Sequence, residues 1–301
     1  MDGIVVVDKP LGLTSFDVVA RVRRALSEKR VGHAGTLDPL ATGVLLVCVG
    51  AATKVVPYLM DADKEYRATC QLGVTTDTDD ADPQAKVLFR AEPAALRALP
   101  EAAIRDALSK MVGEIVQQAP RFSALKHEGQ RLYDLARDSR ESDAPAPFID
   151  KARRIRIDAI DIEDIDLGSE TPTVNFRVRC GKGTYIRAIA RDLGEALGVG
   201  GHLTALRRLR VGGFDLSAAV PPEPEALRAG RLFSPGEALS HLPQARVNEL
   251  LARRLRQGQP SALAELSGSG PLLTVLDPAG QLVAIVEKDA ASGRFRIARG
   301  F

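Results

Sequence analysis

The chain has 301 residues, of which 45% are hydrophobic and 27% are charged, and its formal net charge at pH 7 is +2. This length predicts about two domains, and the hydrophobic content provides for a sizeable core, which excludes a disordered or fibrous protein. The first residues carry no basic stretch, and the apolar run 4–7 ends at Asp8, which argues against a signal peptide or a membrane span. The expected location is therefore the cytoplasm.

The chain opens with a predicted strand at 4–7, a turn around Pro10 and a helix that begins near Ser15. Thr14 and Asp17 have the spacing of a capping box, in which each residue satisfies a backbone N–H of the other. Apolar residues then recur at helical spacing, which predicts one buried helix face.

A glycine-rich segment follows and places a carboxylate in a loop: Gly32-His33-Ala34-Gly35-Thr36-Leu37-Asp38-Pro39-Leu40-Ala41-Thr42-Gly43. Its glycines exclude a regular helix, and Pro39 disfavours the α region for Asp38. The apolar run 44–49 then predicts a buried strand. A carboxylate on a loop that enters a core strand suits catalysis, although a turn cap made by Asp38 with its own backbone is the alternative.

The rest of the chain mixes further strands and helices. We expect strands at 64–73, 155–162 and 173–180, and helices at 54–60, 93–111 and 184–197. This order has no regular βαβ repeat, so it favours an α+β fold over a doubly wound sheet. Short strands at 272–276, 282–286 and 295–298 predict a small β domain after a boundary near residue 243.

Several motifs for metals or nucleotides fail on inspection. The acidic run 77–82 lacks the glycine and glutamate of a calcium loop, and the four histidines lack the spacing of metal ligands. The segment 181–184 lacks the register of a phosphate-binding loop. Cys48, Cys70 and Cys180 lie far apart in apolar contexts and are expected to be buried thiols. No metal and no cofactor is therefore predicted.

Charge is concentrated in one segment. Residues 177–210 contain eight Lys or Arg side chains and two acidic ones, Asp192 and Glu195. This local excess predicts contacts with phosphates, and the alternative is an exposed helix face with extended arginines.

Five sequence blocks occur together in one order. They are Asp8-Lys9-Pro10-Leu11-Gly12-Leu13-Thr14-Ser15, the Asp38 loop, Lys64-Glu65-Tyr66-Arg67, the segment 123–137 and Lys182-Gly183-Thr184-Tyr185-Ile186-Arg187. In this combination the chain resembles the TruB family of tRNA pseudouridine synthases. The resemblance implies a fold with a central mixed, mostly antiparallel sheet flanked by helices. It further implies a catalytic domain at 1–242, a thumb-like insertion at about 120–150 and a small PUA-like β domain at 243–301.

The same resemblance implies the isomerisation of the T-loop uridine of tRNA, conventionally numbered 55, to pseudouridine, without cofactor or metal. Asp38 matches the family's nucleophile, and carboxylates are competent nucleophiles and leaving groups in glycosidic chemistry. Arg187 matches the arginine that pairs with this aspartate. Tyr66 matches a tyrosine able to stack on the uracil and to move a proton.

The resemblance also implies the RNA-binding residues. His33 matches the histidine that fills the stack when the target base flips out. Further residues implied to shape the pocket or to contact RNA are Lys9, Lys54, Lys126, Tyr185 and Leu206. The expected partner is the T-stem-loop of tRNA, with no membrane and no obligatory protein partner, and a monomer is expected. A tRNA-folding chaperone that uses the same surface without Asp38 is the alternative function, and a guide-RNA-dependent relative is disfavoured because the insertion is present.

Overall fold

The computed structural model describes residues 1–122, 126–127, 130–131 and 152–301. The chain divides into two compact units, one formed by Met1–Ala62 with Arg210–Phe301 and the other by Asp63–Leu209. The boundary predicted near residue 243 is neither of these divisions and stays a prediction. The predicted insertion at about 120–150 lies mostly outside the described residues.

Strands and helices alternate irregularly along the described chain. The strands are β1 (Gly3–Lys9), β2 (Val31–His33), β3 (Ala41–Val49), β4 (Lys64–Leu72), β5 (Val74–Thr76), β6 (Val87–Arg90), β7 (Gly113–Gln118), β8 (Lys126–His127), β9 (Gln130–Arg131), β10 (Ala152–Asp166), β11 (Thr173–Cys180), β12 (Gly201–Val211), β13 (Phe214–Asp215), β14 (Gln244–Arg246), β15 (Leu272–Leu276), β16 (Leu282–Lys288) and β17 (Phe295–Gly300). The α-helices are α1 (Ser15–Ala25), α2 (Val56–Met60), α3 (Pro93–Arg97), α4 (Glu101–Ser109), α5 (Ile186–Ala196), α6 (Pro224–Ala229), α7 (Pro235–Ala238), α8 (Glu249–Arg256) and α9 (Pro260–Leu263), with 3₁₀ turns at Gly50–Val55 and Leu216–Ala218.

In the first unit, β3 is the central strand of the N-terminal part. It pairs antiparallel with β1 from Gly3↔Val49 to Lys9↔Gly43, and β2 pairs with its last residues. Its residues 44–49 are fully buried, as the continuous apolar run predicts. The strand therefore provides a rigid support for the loop that enters it.

Helix α1 begins as the sequence predicts. The Thr14 side chain accepts a hydrogen bond from the Asp17 N–H, and the Asp17 carboxylate accepts one from the Thr14 N–H. The capping box is therefore confirmed, and the buried residues of the helix, Ser15 among them, lie on one face.

The C-terminal part of the first unit contains a four-stranded sheet in the order β14-β15-β16-β17. The three predicted C-terminal strands are confirmed, whereas β14, which pairs parallel with β15, is an additional strand. Helix α8 covers this sheet with Leu251 and Leu255, which belong to the same apolar cluster as Val275 and Val283. This small sheet therefore has an apolar core of its own.

The second unit is built on five strands in the order β12-β4-β11-β10-β7. Strand β11 pairs antiparallel with both β4 and β10 along its length. Helix α5 packs against β4 and α4, and α4 also packs against β10. Ile104, Phe176 and Ile189 are fully buried or nearly so and come from the two helices and the sheet. This arrangement confirms the predicted α+β class.

One predicted helix is divided in the structure, and one strand lies where none was predicted. The helix predicted at 93–111 is two helices, α3 and α4, because Pro100 adopts extended backbone angles and caps α4. Proline disfavours a helical conformation in the residue before it, which here is Leu99. Strand β12 was not predicted, and the charge-rich segment 177–210 comprises β11, α5 and β12 rather than one helix face. Among the described residues, no helix combines the length and hydropathy that crossing a bilayer requires.

Candidate active site

The backbone on either side of Asp38 is fixed by hydrogen bonds within the first unit. The Ser15 hydroxyl donates to the Leu37 carbonyl over 3.0 Å and accepts from the Leu37 N–H over 2.8 Å. The Asp38 carbonyl accepts from the Ala41 N–H over 3.0 Å. Ser15 and Leu37 are each 3% exposed, so the bonds between them are shielded from water. The half-buried Asp38 therefore sits on a loop that the first residue of α1 holds in place.

The turn between β1 and α1 provides a further contact to this loop. The Gly12 N–H donates to the Pro39 carbonyl over 2.9 Å, and Gly12 has a φ of +84°, a conformation that favours glycine. The ammonium of Lys9 is buried and donates to the carbonyls of Pro10 (3.1 Å) and Leu13 (2.5 Å). Lys9 therefore stabilises the turn that carries Gly12, which accounts for a lysine in the first sequence block.

His33 lies where β2 passes into the Asp38 loop. It is the last residue of β2, pairs with Val47 of β3 and is half-buried. The next residue, Ala34, donates its N–H to the Leu46 carbonyl over 2.9 Å. The structure therefore puts His33 on the firmly paired end of the same loop that carries Asp38.

Lys54 lies on the 3₁₀ turn Gly50–Val55, which follows β3. Its ammonium donates to the Gly300 carbonyl over 2.8 Å and lies 5.0 Å from the centroid of the Phe301 ring. These contacts give Lys54 a structural partner in the last residues of the chain. Its predicted contact with RNA stays a prediction.

In the second unit, Arg187 lies in the first turn of α5 and is 5% exposed. Its guanidinium donates to the carbonyls of Thr78 and Phe122, each over 2.8 Å, and its Nε lies 3.7 Å from a carboxylate oxygen of Asp80. These contacts fix the direction of the guanidinium within its own unit. The implied pairing of Arg187 with Asp38, which belongs to the other unit, stays a prediction.

Arg187 contacts the acidic segment 77–82, whose sequence does not match a calcium-binding loop. The hydroxyls of Thr76 and Thr78 both donate to the Asp80 carbonyl, over 2.7 and 3.1 Å. Asp79 has a φ of +59° and pairs with Arg191 over 3.0 Å. Burial raises the pKa of Asp79 to about 6, although the neighbouring Arg191 lowers it. The sequence analysis missed this support, because it considered the run 77–82 only as a calcium loop whose register fails.

The other predicted residues of this unit lie on elements that contact one another. Tyr66 is on β4 and is 8% exposed, and Leu206 is on the neighbouring strand β12. Tyr185 caps the N-terminus of α5, which packs against β4. The structure therefore brings Tyr66, Leu206, Tyr185 and Arg187 onto two adjacent strands and one helix start.

The basic segment 177–210 is less free to meet phosphates than its composition suggests. Arg177 pairs with Glu163 over 3.1 Å, and Arg208 is 1% exposed. Lys182 is exposed. Phosphate contacts therefore stay a prediction for the exposed basic side chains of the segment, Arg179 and Lys182.

Three further expectations concern Lys126, metals and the cysteines. Lys126 belongs to the short strand β8, which pairs with β9, and its side chain lies outside what the structure describes. Across residues 1–122 and 152–301, no group of three or more His, Cys, Asp or Glu side chains is arranged to hold a metal ion. The three cysteines are buried and free, and burial raises the pKa of the Cys48 and Cys70 thiols to about 12.

Two family models match the chain. The model of the TruB family pseudouridylate synthase N-terminal domain matches residues 23–186, and the model of the tRNA pseudouridylate synthase B C-terminal domain matches residues 187–223. The first match includes Asp38 and Tyr66, and the second begins at Arg187. The two matches are contiguous and cover both units in part.

Curated relatives and solved structures agree with this. The chain is 46% identical to a tRNA pseudouridine synthase B of Geobacter sulfurreducens over 86% of this chain and 83% of that protein. It is 42% identical to one of Leifsonia xyli subsp. xyli over 95% and 92%. The fold resembles a crystal structure of a Cbf5-Nop10-Gar1 complex with a TM-score of 0.70 and 25% identity, over 99% of this chain and 84% of that chain. A Nop10-Cbf5 complex of an archaeal box H/ACA sRNP gives 0.69 and 25%, over 99% and 85%. The chain therefore belongs to the TruB family of pseudouridylate synthases, which confirms the resemblance carried by its sequence blocks.

Proposed function

We propose that this chain converts the T-loop uridine of tRNA, position 55, to pseudouridine with Asp38 as its nucleophile. The observation that carries the proposal is the anchoring of the Asp38 loop at three consecutive residues, by Ser15, Ala41 and Gly12. A reacting carboxylate gains most when its backbone is held before the substrate arrives. The names of the similar bacterial proteins support tRNA as the substrate.

The reaction breaks the N1–C1′ bond of the uridine and joins C5 to C1′, while the proton leaves C5 and N1 gains one. Asp38 can hold the detached intermediate by attack on the sugar or on the base, and it then leaves as a carboxylate. No oxidant and no change of net charge is needed. The step therefore requires a positioned carboxylate and a proton carrier.

The other predicted residues receive roles in this scheme. Arg187 pairs with the Asp38 carboxylate and keeps it ionised, and Tyr66 stacks on the uracil and carries the proton. His33 takes the place of the flipped base, since the reacting atoms are inaccessible inside a folded T-loop. Lys9 holds the turn that supports the loop, and Tyr185 and Leu206 line the base pocket. We place the activity in the cytoplasm, where the tRNA substrate is found, and we expect a monomer without an obligatory protein partner.

The experiment incubates the purified protein with an unmodified tRNA transcript and maps pseudouridine. We expect conversion at the T-loop uridine, loss of conversion in Asp38→Asn, and a tRNA Kd within about threefold of wild type in that variant. Asp161→Asn serves as the control, because Asp161 is an exposed carboxylate on β10. Full activity in Asp38→Asn would refute the nucleophile, and conversion only at another uridine would refute the substrate.

The RNA surface has a separate test. Because the exposed basic side chains would displace counterions from tRNA phosphates, the logarithm of the affinity should fall linearly with the logarithm of salt concentration. A flat salt response would contradict phosphate contacts. A protein that binds tRNA with this salt dependence but converts no uridine would instead support the chaperone alternative.

A further inference from the structure

Tyr185 is held through its backbone by one buried side chain. The Tyr185 N–H donates to Oε1 of Gln117 over 2.9 Å, and Nε2 of Gln117 donates to the Tyr185 carbonyl over 3.1 Å. Gln117 lies on β7 and is 1% exposed. Tyr185 is the N-cap of α5 and has no side-chain cap of its own, so the amide of Gln117 satisfies a donor at this helix start.

The ring of Tyr185 is held by a second side chain. The guanidinium carbon of Arg153 lies 4.8 Å from the ring centroid, which is the geometry of a cation–π contact. Nε and Nη2 of Arg153 are buried and have no hydrogen-bond partner within the part of the chain that the structure describes. A side chain at position 183 would bring its Cβ to 3.2 Å from Nη1 of Arg153, so Gly183 leaves room for the guanidinium. The tyrosine ring is therefore a described contact of this cation with which no described hydrogen bond of Nε or Nη2 competes.

The two supporting side chains belong to one cross-strand pair. Gln117 of β7 lies opposite Arg153 of β10, and opposite residues of an antiparallel pair project from the same face. One residue therefore fixes the Tyr185 backbone and its neighbour fixes the ring. Neither residue is explained by the roles given above to the predicted site residues.

The segment that contains Gln117 also fixes the helix beyond Tyr185. The carbonyl of Phe122 accepts from Arg187 over 2.8 Å, and the carbonyl of Gln118 accepts from Arg191 over 2.9 Å. Residues 117–122 thus contact α5 at its cap and at two later positions. The position of Tyr185 is consequently tied to that of Arg187.

We propose that Gln117 and Arg153 are positioning residues that fix Tyr185, by its backbone and its ring, for contact with the target uridine. The proposal rests on the proposed function for its catalytic consequence only. Because these two side chains already hold the ring in the free protein, no conformational entropy of the ring has to be lost when the substrate binds. Loss of either side chain should therefore slow the reaction more than it weakens RNA binding.

The first test measures the environment of the Tyr185 ring in the free protein and does not require enzymatic activity. The chain has four tyrosines, so 3-fluorotyrosine labelling gives few ¹⁹F signals, and Tyr185→Phe assigns the one of Tyr185. We expect Arg153→Met to shift and broaden that signal in the free protein. The control Arg154→Met should leave it unchanged, since Arg154 is exposed and is the next residue along β10. An unchanged Tyr185 signal in Arg153→Met would overturn the proposal whether or not the protein modifies tRNA.

The second test is a mutant cycle on the reaction. In single-turnover assays we expect Arg153→Met and Gln117→Leu each to lower the rate constant by about tenfold or more, with the Kd, measured in the Asp38→Asn background, within about threefold. In a Tyr185→Leu background, Arg153→Met should lower the rate by less than about twofold further, because its effect passes through the missing ring. An undiminished effect of Arg153→Met in the Tyr185→Leu background would refute the proposal, because the effect would not pass through the ring. A change in Kd alone, with a weaker salt dependence, would show that Arg153 contacts a phosphate and would also refute the proposal. If Gln117→Leu does not fold, the Arg153 cycle decides alone. An inactive wild type would refute the proposed function and leave the ¹⁹F result to decide the position of the ring.

Discussion

Ser15→Ala removes the hydroxyl that ties α1 to the Asp38 loop. In the wild type that hydroxyl satisfies both the N–H and the carbonyl of Leu37, over 2.8 and 3.0 Å, in a place that water does not reach. The substitution leaves both backbone groups without this partner. A buried polar group that loses its partner costs about 1–3 kcal/mol, so the two together should lower the free energy of unfolding by about 2–6 kcal/mol.

Loss of the Ser15 hydroxyl should also slow the reaction. A release of about 1.4 kcal/mol raises the ratio of other loop conformations to the reactive one tenfold, and once those conformations outnumber the reactive one, each further 1.4 kcal/mol lowers the rate by about tenfold. We therefore expect the single-turnover rate of Ser15→Ala to fall, by up to several hundredfold at the upper end of this range.

Urea unfolding followed by circular dichroism measures the stability, and the tRNA assay measures the rate. Ser109→Ala is the matched control, because Ser109 is exposed and its hydroxyl donates to the Asp106 carbonyl of its own helix. We expect less than about 0.5 kcal/mol for the control. If Ser15→Ala were as stable and as active as Ser109→Ala, the hydroxyl would not hold the loop and the reasoning about the site would be wrong.

Three further substitutions test other parts of the structure. Burial raises the pKa of Asp79 from 3.8 to about 6, so the folded protein binds a proton there more tightly than the unfolded chain does. As the pH rises through this range, the free energy of unfolding of the wild type should therefore fall relative to that of Asp79→Asn, by up to about 3 kcal/mol, with no further change at higher pH. Denaturation at several pH values measures this, and a difference that does not depend on pH would contradict it. Thr14→Ala should lower the free energy of unfolding by about 1 kcal/mol through loss of the capping box with Asp17, measured against the exposed change Ser217→Ala. Phe176→Ala should lower it by about 3–5 kcal/mol, since Phe176 is fully buried in β11, and a loss below 1 kcal/mol would argue against the packing of that sheet.

Local signals in the sequence predicted local structure well. The capping box at Thr14 and Asp17 and the strand at 173–180 were predicted because their patterns concern neighbouring residues. The break at Pro100 was missed, although proline is a local signal, because the apolar spacing on both sides suited one helix.

The supports of the site were hidden for a different reason. Ser15 contacts Leu37 across 22 residues of sequence, and Gln117 contacts Tyr185 across 68. No pattern in a single sequence links residues this far apart, so the roles of Ser15 and Gln117 follow from the tertiary structure alone. The family blocks identified the predicted site residues, whereas the residues that hold them in place required the fold.

The pairing of β7 with β10 has a consequence for the engineering of this protein. Gln118, at the end of β7, lies directly opposite Ala152, at the start of β10, so residues 119–151 leave and re-enter the sheet at neighbouring points. A segment inserted in this way can be shortened or exchanged without separating the strands that flank it, since the gap to be closed is only that between adjacent strands. Because the carbonyl of Phe122 accepts a hydrogen bond from Arg187, a shortened segment should retain the residues up to Phe122. The length of the segment beyond Phe122 can thus vary without a change in the pairing of β7 with β10.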